Sequence, residues 1–156
     1  MSLLSEITTG PLAAELAPHI ASGNDAAIAD VLNRRDIPAL GAVDRATFAM
    51  WVGATGLRAA IQDHADAVGS PLRSVSLTLL DFLQGGVANS LDMSSAQNQM
   101  MLGAWVQTGA ISQAQHDELL ALASHTISRA EQAGLGTVSV NDVARTVRAD
   151  DGSSLV

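Results

Sequence analysis

The chain contains no cysteine and no tyrosine, and aromatic residues make up only 3% of its 156 positions. Without cysteine there is neither a disulfide staple nor thiol chemistry, which leaves the compartment open. Lysine is absent too: the 8 basic residues are all arginine, set against 16 acids for a net charge of −8. Such a balance argues against non-specific binding to a phosphate backbone, which needs clustered cations. So few aromatics leave the core to Ala, Leu, Val, Ile and Met. Small and unbranched residues suit closely packed helices better than a β-sandwich. No apolar run approaches the ~18 residues of a membrane span. Neither does a basic segment precede an apolar stretch near the start, so a secretory signal is not expected. Nucleic acid and membrane are therefore not expected as partners.

What is present is a 47% apolar chain, enough to build a real core and too much for wholesale disorder. The length fits one helical domain over 1–149, followed by a flexible tail, 150–156. The fold class expected is mainly α: a compact multi-helix bundle with room for a short two-stranded β clip. The tail Asp150 to Val156 is expected to order only when a neighbouring subunit holds it.

Breakers and caps divide the chain. Ser2 caps a first short helix, Gly10–Pro11 breaks it, and Pro18 is expected to kink or split the next segment. Asn24 or Asp25 opens a helix carrying Ile28, Val31 and Leu32. Pro38 pushes Ile37 toward extended geometry, so Ala39 to Val43 reads as a strand. Its expected partner is Thr137 to Val140, where Val138 and Val140 share a side. Asp44 caps a helix with Phe48, Trp51 and Val52 inside, interrupted by Gly53 and Gly56. Ser70–Pro71 restarts a helix over 71–84 that is apolar nearly all round and reads as the central buried element. Ser94 or Ser95 caps the next, to about Gln107. From Ser112 a capping box with Gln115 predicts a long helix ending at Gly134, with a stripe of Leu119, Leu120, Leu122, Ala123, Ile127 and Ala130. Asn141 is the expected cap of the last helix.

Chemistry-bearing patterns are sparse. His19, His64, His116 and His125 never pair at i, i+3 or i, i+4, so no helix presents a two-histidine metal face. His64 lies between Asp63 and Asp66, but neighbours one or two apart on a helix do not converge. His116, Asp117 and Glu118 fall in a first helical turn, where acids answer the helix dipole. Arg34–Arg35 is followed at once by Asp36 and reads as a solvated turn. Neither a G-x-S-x-G elbow nor a phosphate-cradling glycine loop is present; Gly134-Leu135-Gly136 follows a helix and is a cap and turn. A helix-turn-helix over Met100 to Ala123 would point Asp117 and Glu118 at phosphates, which disfavours it. Met100–Met101 with Trp105 reads first as core, with an adaptable binding surface as the alternative. Catalytic, cofactor-binding and metal-binding residues are accordingly all expected to be none, no cofactor is expected, and the protein reads as a non-enzyme.

Three segments carry a resemblance: Gly109-Ala110-Ile111-Ser112 opening a helix with Leu119 to Ala123; Ile127 to Gly136; and Val138 to Val143 with Arg145 behind it. Leu4 to Leu16 with Gly10-Pro11-Leu12, and the turn Asn33 to Gly41, are similar in style. Together they resemble uncharacterised small helical proteins encoded among the structural genes of tailed bacteriophages. The resemblance implies a virion context (capsid, neck or tail), assembled in the host bacterial cytoplasm. Its expected partners are other virion proteins and copies of itself, and it supplies no catalytic residues. Expected contact segments are Met1 to Thr9, Gly85 to Ser94 and the tail. A reading from another class is a soluble acidic phage protein that binds and regulates a host protein.

Overall fold

The computed structural model describes residues 2–86 and 88–148. The described chain is mainly α with short β elements, as expected. Its elements run α1 (Leu3–Thr9), α2 (Ala13–Ala21), α3 (Asp25–Asn33), β1 (Arg35–Leu40), β2 (Ala42–Asp44), α4 (Arg45–Thr55), α5 (Leu57–Asp66), α6 (Arg73–Leu83), β3 (Ser90–Asp92), α7 (Ala96–Gln107), α8 (Gln113–Ala123), β4 (Ser124–Ser128), α9 (Arg129–Gln132) and α10 (Val140–Val147). The contacts group into two compact units. The first draws on 2–38 and 126–148, the second on 39–125. β1 pairs with β4.

In the first unit, α3 packs against α2, α9 and α10, and α1 packs against α2 and α10. Ile7, Leu16, Ile28, Leu32, Ala130, Val138, Val143 and Val147 form its apolar cluster. Side-chain caps set the helix starts: Ser2 accepts from the Ser5 N–H and Asn24 from the Ala27 N–H, each satisfying a donor that lacks a helical partner. Pro18 does not split α2, which runs through it. At the sixth position of a nine-residue helix, proline forfeits only one i→i−4 bond.

Polar clasps join the early and late segments of this unit. Glu6, 1% exposed, accepts from Arg129 Nε at 2.6 Å and Nη2 at 2.8 Å, a bidentate charge-assisted pair. Gly10 makes room for it, since a Cβ there would lie 2.8 Å from Glu6 Oε2. Arg148 donates to Asp25 Oδ1 at 2.6 and 2.9 Å and to the Ile20 carbonyl at 3.0 Å. The Asn33 amide donates to the Val138 carbonyl at 2.7 Å and accepts from the Val138 N–H at 2.9 Å.

The second unit is built on aromatics. Phe48 lies 5.7 Å from both Trp51 and Phe82, tilted on the first and edge-on to the second, within the preferred range for such pairs. Trp105, fully buried, meets the His64 ring edge-on at 5.3 Å. Around them gather Val43, Val52, Leu57, Ile61, Leu79, Met93, Leu102 and Leu119. β2 and β3 pair antiparallel, with Val43 opposite Leu91. Asp44 caps α4 by accepting from the Thr47 N–H and hydroxyl. Gly56, at φ +73°, turns the chain from α4 into α5 in a conformation that penalises a Cβ.

Five expectations need correction. Thr137 to Val140 is not a strand. Asn33 satisfies the Val138 backbone, and Ser139 is already the N-cap of α10, in a capping box with Asp142. Hence Asn141 is a helical residue rather than the cap. The partners of the extended run near Ala39 to Val43 are instead β4 for β1 and β3 for β2. The long helix from Ser112 to Gly134 is also broken: α8 ends at Ala123, and Ser124–Ser128 is extended. The Ser124 hydroxyl bonds back to the Leu120 carbonyl, and Ser128 with Glu131 makes a second capping box that restarts the helix as α9. Finally, α6 is not buried all round; Leu77 is 46% exposed.

Candidate functional site

The second unit carries a shallow groove of about 390 Å³ between α6 and α7. At the start of α6, Ser70 Oγ accepts from the Leu72 N–H at 3.2 Å, and Pro71 sits between them. α6 turns Ser76, Leu79, Leu80 and Phe82 inward and leaves Ser74, Val75 and Thr78 as one wall. α7 turns Leu102 and Trp105 inward. Its start is held by Asn98 Nδ2 donating to the Asp92 carbonyl at 2.8 Å and Gln99 Nε2 to the Met93 carbonyl at 2.9 Å. The opposite wall is Gln97, Met100, Met101 and Ala104. Met100 is 70% exposed.

No charged side chain lines this groove. On the α7 side the sequence is equally bare: the 24 residues from Met93 to His116 include no Asp, Glu, Lys or Arg. The chain as a whole is 15% charged, so a neutral stretch of that length sets this face apart. Depletion of charge together with exposed methionine is the compositional mark of a protein-contact surface. The signal in the sequence is the uninterrupted neutral run from Met93 to His116.

The methionine–tryptophan cluster is core only in part. Trp105 is core, Met101 is half-buried, and Met100 faces outward. The histidines do not converge. His64 Nδ1 lies 2.7 Å from the Ser70 hydroxyl. His116 Nδ1 lies 3.1 Å from Asp117, whose carboxyl is held below its ordinary value first by that bond and then by one from Gln113. His125 stacks its ring against Gly41, where a Cβ would come within 3.0 Å. His19 lies in the last turn of α2, its carbonyl taking the Ser22 hydroxyl. Among the described residues no three His, Asp or Glu are grouped to hold a metal, and no helix is long and apolar enough to cross a membrane.

The arginine pair is engaged rather than merely solvated. Arg34 bonds Asp36 at 2.5 Å and Glu15 at 2.8 and 3.2 Å, which holds the Glu15 carboxyl below its ordinary value. Arg35 donates twice to the Thr126 carbonyl, at 3.0 and 2.9 Å, and once to Glu131 at 3.1 Å.

Of the expected contact segments, Leu3–Thr9 is helix α1, with Ile7 in the core and Leu4 exposed. The loop after Gly85 is anchored by Arg45, which donates to the Gly86 and Ala88 carbonyls and the Asn89 side chain and lies over the Phe82 ring at 5.6 Å. The tail 150–156 falls outside the described residues. Sequence reasoning missed the groove as such, because its walls come from helices separated by β3.

No family model, curated protein or solved structure matches this chain.

Proposed function

We propose that this is a non-enzymatic structural or assembly protein of a tailed bacteriophage, acting in the virion through contacts with other virion proteins and with copies of itself. The observation that supports the contact role is the uncharged α6–α7 groove with its exposed Met100. A groove with no acid, base or histidine on its walls offers no proton donor or metal ligand, and it suits the apolar face of a protein partner. The virion context rests on the resemblance of Gly109 to Ala123, Ile127 to Gly136 and Val138 to Val143 to small proteins of phage structural gene clusters. The direct test is quantitative mass spectrometry of purified particles of the phage that encodes the chain. A fixed, stoichiometric copy number in particles is the expected result; absence from particles overturns the virion role.

A second reading is favoured by the net charge of −8. An acidic phage protein that regulates a host protein would hold a basic partner through its carboxylates. It would be made during infection, be missing from particles, and bind its partner less well as salt is raised.

A further inference from the structure

We propose that the α6–α7 groove is a self-pairing face, on which two copies of this chain meet about a two-fold axis. The inference rests on the protein-contact reading above and adds the partner and the surface.

The charge distribution suits a second copy. A two-fold axis sets a patch against itself, so any carboxylate on it faces a like-charged neighbourhood on the other copy. For a chain with 16 acids and 8 bases, most faces would pay that repulsion. The groove avoids it, because neither its walls nor the stretch Met93 to His116 carries a charge. Arg73, the nearest cation on α6, is turned away to the Ala65 carbonyl at 3.1 Å. A basic partner would find nothing to pair with here and would favour the acid-bearing faces.

Shape points the same way. An isologous contact requires that one patch contain both the projecting group and its receptor. Met100 projects from α7, and beside it lies the groove, whose lining includes the apolar Leu72, Val75 and Ala104. A two-fold axis places each Met100 in the other copy's groove. Methionine, unbranched and polarizable, adapts to such a slot. Ser74, Thr78, Gln97 and Asn98 border the apolar floor with the hydroxyls and amides that a polar rim uses.

The test is sedimentation velocity of the full chain over a wide concentration series, with Met100→Glu and, on the opposite wall, Ser74→Arg. Val140→Glu, on an exposed α10 residue of the first unit, is the control. The wild type is expected to dimerise with little dependence on salt. Each groove variant should weaken the dimer at least about tenfold, as loss of a central interface side chain does, with an unchanged circular-dichroism melt at concentrations where the wild type is monomeric. The control should dimerise like the wild type. A wild type that is monomeric throughout, or a dimer that survives both groove variants, overturns the proposal. Should one groove variant fail to fold, the other decides. A monomer that is nonetheless present in particles removes the pairing and keeps the virion role. A dimer that is missing from particles does the reverse.

Discussion

The two units solve the same problem with different materials. The second holds every aromatic residue of the chain: Phe48, Trp51, Phe82 and Trp105. The first has none, and its buried side chains are mostly Ile, Leu, Val and Ala. It compensates with side-chain clasps that span more than a hundred residues of sequence, Glu6 to Arg129, Asn33 to Val138 and Asp25 to Arg148. Apolar burial is non-directional and tolerates small shifts, whereas a bidentate ion pair or a two-bond amide clasp demands one register. A unit assembled from two distant chain segments gains most from the directional kind. The second unit is one continuous segment, and its aromatic core needs no such register device.

The sharpest break in this contrast is Trp105→Ala. Emptying a fully buried tryptophan site costs about 3–5 kcal/mol, read in chemical denaturation by the fluorescence of the remaining Trp51. Both tryptophans lie in the second unit, so fluorescence reports on that unit by construction. A loss below ~1 kcal/mol would mean that Trp105 is not the keystone of this core.

Next comes Arg129→Met. It leaves the Glu6 carboxylate, 1% exposed, without its guanidinium, and breaking a buried pair from one side costs about 3 kcal/mol or more. Hydrogen exchange is the discriminating readout. Amides of α1 and α10 should exchange faster, while those of α5 and α6 keep their protection. Equal acceleration in α5 and α6 would show that the clasp is not local to the first unit. Asn33→Ala is the milder version. It removes two bonds to Val138 at a cost of about 1–3 kcal/mol, again with α10 exchange as the gauge.

These clasps mark what the sequence did and did not disclose. Helix starts with a local signature were legible: Ser2, Asn24, Asp44 and Ser112 cap the helices that their spacing predicted. So was the left-handed turn at Gly134, φ +74°. Illegible were features decided by distant partners. Val138 and Val140 have strand character, yet a single asparagine far upstream takes the Val138 backbone groups. The stripe through Ile127 and Ala130 kept helical spacing across Ser124–Ser128, and only the Ser128–Glu131 capping box betrayed the restart. The groove is half visible in the sequence: Met100–Met101 offers an alternative surface, but which methionine faces out depends on how α7 packs through Trp105.

Acid titration contrasts the two units more gently. Asp44, Asp92 and Asp117 in the second unit, and Glu15 and Asp142 in the first, are all held below their ordinary values. The main causes are the hydroxyls of Thr47, Ser94 and Ser139 for Asp44, Asp92 and Asp142, the His116 ring for Asp117, and Arg34 for Glu15. A depressed carboxyl contributes stability that is fully present above its unfolded value and lost as pH falls through the folded one. Stability should therefore decline below about pH 4 as these groups take up protons. Asp44→Asn keeps the α4 cap but removes its titration. It should shallow the acid limb seen by tryptophan fluorescence and leave the first unit's helical signal unchanged. An unaltered acid limb would assign the effect to the other carboxyls.

The smallest effect expected is on folding from Met100→Ala. A side chain 70% exposed contributes little to its own core, so the monomer's unfolding free energy should change by less than about 0.5 kcal/mol. That near-silence is informative because the same side chain stands at the centre of the proposed self-pairing face. If Met100→Ala weakens the dimer while leaving the monomer's stability untouched, the residue serves contact rather than folding. The uncharged stretch from Met93 to His116 would then be explained by the surface it leaves open as much as by the core it fills. A large loss of monomer stability would instead return Met100 to the core, and remove the reason for reading this face as a place where copies meet.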